Sequence, residues 1–125
     1  MKIKRVYVAG LLTPRGVWSV SPAIDYLMNV RNMIRAGLEV FFAGFVPFIP
    51  ALDFQIFLAL TEWERITEPM IRRYSKDWLE VCEAVLLTPG WKKSTGTLAE
   101  IEFAKERNIP IFENLKELID ASKKE

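Results

Sequence analysis

Between its middle and its last third the chain reads Ala84-Val85-Leu86-Leu87-Thr88-Pro89-Gly90-Trp91-Lys92-Lys93-Ser94-Thr95-Gly96-Thr97-Leu98-Ala99-Glu100. Ala84 to Leu87 is an uninterrupted apolar run, short enough for a strand buried on both faces. Pro89-Gly90 breaks it, small and basic residues form a loop, and a helical pattern runs from Thr97 to Arg107. Working outward, the same alternation repeats. Upstream, Pro69 opens a helix that places Met70, Tyr74, Trp78, Val81 and Cys82 on one face. Before it lies Phe45-Val46-Pro47-Phe48-Ile49-Pro50, a strand limited by its prolines. Asp53 to Leu60 is open between helix and loop, and Thr61-Glu62-Trp63-Glu64 carries the pattern of a capping box. Further back, Ser21-Pro22 reads as an N-cap and first helical residue. Ile24, Leu27, Met28, Val30, Ile34, Leu38 and Phe41 then recur at helical spacing up to Gly44, and Arg5 to Ala9 is a β-branched strand stopping at Gly10. Downstream, Ile109 to Phe112 predicts a last strand and Glu113 to Ser122 a last helix.

The resulting order, β-α-β-α-β-α-β-α, specifies parallel strands covered by helices on both faces. The fold class is α/β: a single domain over residues 1–125, a Rossmann/flavodoxin-like three-layer sandwich with a four- or five-stranded parallel sheet. Ligands of such sheets bind beyond the carboxyl ends of the strands, where strand order reverses. Three loops occupy that edge: residues 10–21, 49–54 and 88–97.

Composition narrows the chemistry. Half of the 125 residues are hydrophobic and a quarter are charged, which excludes a disordered chain. Seventeen basic and 16 acidic residues leave a net charge of +1, so no nucleic-acid polymer is expected as a partner. Histidine is absent. That removes Ser-His-Asp, Cys-His and HExxH chemistry, and no metal or other cofactor is expected. Cys82 is the single cysteine and sits in an apolar helical pattern; a lone free thiol fits a reducing cytoplasm. The longest charge-free run, Val40 to Leu52, is 13 residues and holds two prolines, too short to span a membrane. The basic start and apolar run Val6 to Leu12 lack a cleavage site and read as the first strand, not a signal peptide.

With histidine missing, carboxylates are the main candidates for covalent or acid–base work. Glu100 is the one at the right edge. Two readings stand: Thr97-x-x-Glu100 as a capping box that merely satisfies a helix start, or Glu100 as a nucleophile facing the loop. That loop leads into a helix N-terminus, with Ser94, Thr95 and Thr97 as hydroxyl donors, which favours an anion. It is neither a Walker loop nor a three-glycine dinucleotide fingerprint. Trp91 and Trp18 are placed in loops where an aromatic ring could stack on a planar ligand.

Several blocks together resemble the nucleoside 2-deoxyribosyltransferase-like superfamily. They are Tyr7-Val8-Ala9-Gly10; Asn29-Val30-Arg31 with Gly44 to Pro50; Trp78-Leu79 with Cys82-Glu83-Ala84-Val85-Leu86-Leu87 and Pro89-Gly90-Trp91; Ser94-x-Gly96-x-x-x-Glu100-Ile101-x-Phe103-Ala104; and Ile109-Pro110-Ile111. The resemblance covers nearly the whole chain. It implies cleavage of an N-glycosidic bond, with Glu100 as the nucleophile on C1′ of a deoxyribose and Tyr7, Gly10, Arg15, Ser94, Gly96 and Trp91 around the substrate. Ser94 matches the 2′-deoxynucleoside 5′-phosphate N-hydrolase branch, so a deoxynucleoside monophosphate is the expected substrate, with Arg15 on its phosphate. The family's general-acid aspartate corresponds to Ser75, and a block that often reads Pro-His-Leu is Pro50-Ala51-Leu52. Those departures keep open a non-catalytic nucleotide-binding module, or an oligomeric structural protein of the same fold. A homodimer or larger homo-oligomer is expected from the aromatic cluster Phe41, Phe42, Phe45 and Phe48.

Overall fold

The computed structural model describes residues 2–13 and 21–125. Its strands are β1 (Arg5–Ala9), β2 (Val46–Phe48), β3 (Ala84–Leu87) and β4 (Ile111–Phe112). Its helices are α1 (Pro22–Phe42), α2 (Pro50–Asp53), α3 (Glu68–Glu80), α4 (Thr95–Glu106) and α5 (Leu115–Lys123), with 3-10 turns at Phe54–Ala59 and Trp91–Lys93. The four strands form one sheet in the order β2-β1-β3-β4, and every pair is parallel. The α/β sandwich expected above is therefore the observed one, with four strands among the described residues.

Strand pleating sorts the core into two layers. Val6 and Val8 of β1, with Ala84 and Leu86 of β3, pack against Met33 and Val40 of α1 and Leu118 of α5. Tyr7 and Ala9, with Val85 and Leu87, face Leu79 of α3 and Ile101 and Ala104 of α4. Both central strands are buried on both faces, which is why they carry no alternating polar residue. Cys82 lies in the second layer, and burial pushes its thiol up to about 12, so it is protonated and unreactive at neutral pH.

Capping side chains set the helix starts. Ser21 Oγ accepts from the Ile24 amide, Thr67 Oγ1 from Met70 and Asn114 Oδ1 from Glu117. β2 is three residues long, not six, because Pro50 begins α2. Its Pro47, opposite Val6, is tolerated since β2 is the edge strand and has one neighbour. Thr61 and Glu64 form one half of a capping box, the Thr61 amide donating to Glu64 Oε1 at 2.9 Å, while the Glu64 amide donates to the Thr61 carbonyl and only a turn follows before α3. Among the described residues no helix is long and apolar enough to cross a membrane.

Candidate functional site

From β1 the chain crosses to β2 on one side of it and then to β3 on the other. Strand order reverses at β1, and the loops leaving β1 and β3 diverge to leave a crevice. A cavity of about 330 Å³ opens there. Its walls come from Ala9 to Thr13 after β1, Pro50 and Phe54 after β2, Ser94 to Thr97 at the start of α4, and one face of α3.

The helix α4 starts at Thr95, with Ser94 as its N-cap accepting from the Thr97 amide at 3.1 Å. This overturns the capping-box reading of Thr97 and Glu100. Thr97 is already inside the first turn. Its buried hydroxyl donates to the Gly10 carbonyl at 3.2 Å, tying α4 to the end of β1. Glu100 is thereby freed from capping. It stands four residues after Gly96 on the same helical face, and both line the cavity.

The Glu100 carboxylate has a specific partner. The phenol of Tyr7, fully buried on the floor beneath, donates to Oε2. Ser75 acts on the same phenol, pulling its pKa down against the larger effects of burial and Glu100. Burial pushes Glu100 up to about 7, against the opposing pull of the Tyr7 hydrogen bond and the positive charge of Arg72. Burial, and then the adjacent Glu100 charge, raise Tyr7 well above the ordinary phenol range, so it remains a donor at neutral pH. The result is a carboxyl group held in one orientation and poised between its two protonation states.

Gly10 and Gly96 are glycines for different reasons. A Cβ on Gly10 would lie 1.7 Å from Thr88 Oγ1, so the ends of β1 and β3 meet only if that residue has no side chain. On Gly96 a Cβ would find nothing nearer than Ser94 Oγ at 3.9 Å, and its φ is ordinary. Neither packing nor backbone conformation requires glycine there, although glycine in a helix costs about 1 kcal/mol relative to alanine. What its absent side chain leaves open is space facing the cavity.

The structure brings Glu100, Gly10, Ser94 and Gly96 to one cavity and sets Tyr7 directly beneath them. It does not bring Trp91 there. That ring packs against the core layer under α3 and α4, with Lys92 Nζ 5.6 Å from its centroid. Arg15 and Trp18 lie outside the described residues. Ala51 is fully buried in the layer facing α1 and does not line the cavity, so a polar side chain there would not have entered the site. Ser75, singled out in the sequence, faces the cavity, but sequence reasoning missed Glu68, Ile71 and Arg72 beside it on α3. Their spacing of three and four residues was the available signal. Arg72 is a cation at the rim, held by Glu68 at 2.7 Å. Among the described residues no three carboxylates or thiols converge as a metal site.

A search of curated proteins found no match. One family model runs from just before β1 to just past β4, matching residues 4–113, and by that match the chain belongs to the family described as a domain of unknown function, DUF4406.

Proposed function

We propose that the protein is a nucleoside 2-deoxyribosyltransferase-like enzyme that cleaves the N-glycosidic bond of a 2′-deoxynucleoside 5′-monophosphate, with Glu100 as nucleophile. The observation that carries this reading is the Glu100 carboxylate itself. It lies in the cavity at the reversal of strand order, oriented by a buried tyrosine and relieved of any capping duty. In the first step its oxygen bonds to C1′ as the C1′–N bond breaks. The electron pair leaves with the base, which takes up a proton from solvent. Water then attacks C1′, giving up a proton to solvent, as the C1′–O bond to Glu100 breaks and the carboxylate is restored; a second base that loses its N–H proton in the same way gives transfer. Ser94, Gly96 and the helix N-terminus behind them suit the phosphate, as does Arg72. Gly10 forms the floor of the pocket, and Tyr7 acts through Glu100. The partners of this reading are a small nucleotide and further copies of the chain, and no cofactor takes part.

Ser75 supports a second reading, a module that binds the nucleotide without cutting it. Its hydroxyl cannot protonate a leaving base at neutral pH. Incubation with the four deoxynucleoside monophosphates separates the two. The enzyme releases free base, and Ser75→Asp, which supplies an acid, speeds release. Binding with no free base from either protein supports the module.

A further inference from the structure

The cavity lining is chemically mixed. Arg72, Ser94 and Glu100 are polar, while Met33, Pro50, Ile71 and Phe54 are apolar. Phe54 is the one aromatic residue lining it among the described residues. It begins the 3-10 turn that follows α2, a segment whose next five residues are all exposed, with the Phe57 ring edge-on at 6.5 Å. The Phe54 amide is held on the Pro50 carbonyl, and Gln55 Nε2 donates to the Ala51 carbonyl at 3.2 Å. One side-chain hydrogen bond ties this segment to α3: the Tyr74 phenol donates to Asp53 Oδ2. Asp53 immediately precedes Phe54, and Tyr74 immediately precedes Ser75, so the bond joins two walls of the cavity. Its α3 end is rigid. The Tyr74 ring packs edge-on against Trp78, Trp78 stacks on Phe48 at 5.3 Å, and Phe48 stacks on Tyr7 at the same distance. The hydrogen bond to Asp53 also raises Tyr74 above the usual phenol range, which keeps it a donor at all physiological pH.

We propose that the Tyr74–Asp53 hydrogen bond is a latch that ties Phe54 to α3 as the wall against which the planar base of the ligand packs. Tyr74 and Asp53 are positioning residues in this role. The inference rests on the nucleotide reading above and adds to it the device that selects for the base. Stacking of a base on an aromatic ring is worth roughly 1–3 kcal/mol, so losing the wall is measurable as affinity.

The test uses two probes, a 2′-deoxynucleoside 5′-monophosphate and the baseless 2-deoxyribose 5-phosphate, titrated calorimetrically into the full chain carrying Glu100→Gln to prevent turnover. Tyr74→Phe, which removes only the hydroxyl, and Asp53→Ala should each raise Kd for the nucleotide by about fivefold or more. Kd for the baseless sugar phosphate should stay within about twofold. Phe54→Leu should show the same selective loss, and Asp53→Asn, which keeps an acceptor, should retain most of the affinity. Equal weakening of both probes would mark a merely structural contact and overturn the latch. So would unchanged nucleotide affinity in Tyr74→Phe, which leaves the nucleotide reading standing. If the parent protein binds neither probe, the nucleotide reading falls and the latch falls with it.

Discussion

Replacing Glu100 by glutamine should make the protein more stable, and only at high pH. The folded protein holds Glu100 at about 7, chiefly through burial, against an ordinary value of 4.5. A group whose folded pKa is raised contributes stability that is complete below its unfolded pKa and is lost as pH rises through the folded one. At 1.36 kcal/mol per pH unit, the wild type forfeits about 3 kcal/mol between pH 4.5 and 8 that an uncharged side chain keeps. Glutamine has nearly the same shape and still accepts from Tyr7, so the two proteins should have similar stability at pH 5. By pH 8.5 the variant should melt about 10 °C higher at this chain length. The chain has no histidine, so apart from the α-amino group no ordinary side chain titrates between pH 6 and 8. The assay is thermal unfolding of both proteins from pH 5 to pH 8.5. A stability difference that is the same at both ends would refute the claim that a buried carboxylate with a raised pKa sits in this cavity.

Three further outcomes follow from named contacts. Tyr7→Phe removes the hydrogen bond that holds the Glu100 pKa down, so the midpoint of any pH–activity profile should move above 7, seen as base release against pH. Gly10→Ala drives a methyl group into Thr88 Oγ1 and should cost about 1–3 kcal/mol in a urea melt, part of it recovered by adding Thr88→Ala. Phe41, Phe42 and Val46, at the end of α1 and on the edge strand, are at least half exposed, and sedimentation at micromolar concentration should show at least twice the 14.4 kDa chain mass. A clean 14.4 kDa species would contradict that.

How far the sequence could be read depended on whether local or distant contacts decide each feature. Arg5–Ala9 and Ala84–Leu87 are apolar runs ended by Gly10 and by Pro89-Gly90, and their boundaries were legible to the residue. The same holds for the start of α1, where Ser21-Pro22 carries its own capping chemistry. The start of α4 was not legible in this way. Ser94 and Thr97 are both competent caps; Ser94 takes the role, and the Thr97 hydroxyl donates 87 residues away, to the Gly10 carbonyl. With α4 starting at Thr95, Glu100 is a cavity wall and not a cap. Trp91 misled for a related reason. A loop tryptophan beside two lysines looks available, yet the core under α3 and α4 had room for it. The α3 wall depends on how that helix is rotated over the sheet, which is settled by Leu79 and Ser75 packing inward and not by any motif.

The central claim is that Glu100 bonds to the sugar. It is tested most directly by quenching the protein in acid during incubation with a deoxynucleoside monophosphate and mapping its peptides by mass spectrometry. The peptide containing Glu100 should carry the added mass of a 2-deoxyribose 5-phosphate ester. Glu100→Gln should show no adduct and release base at least about 10³-fold more slowly. Base release that continues in Glu100→Gln at the wild-type rate, with no adduct in either protein, would contradict the account.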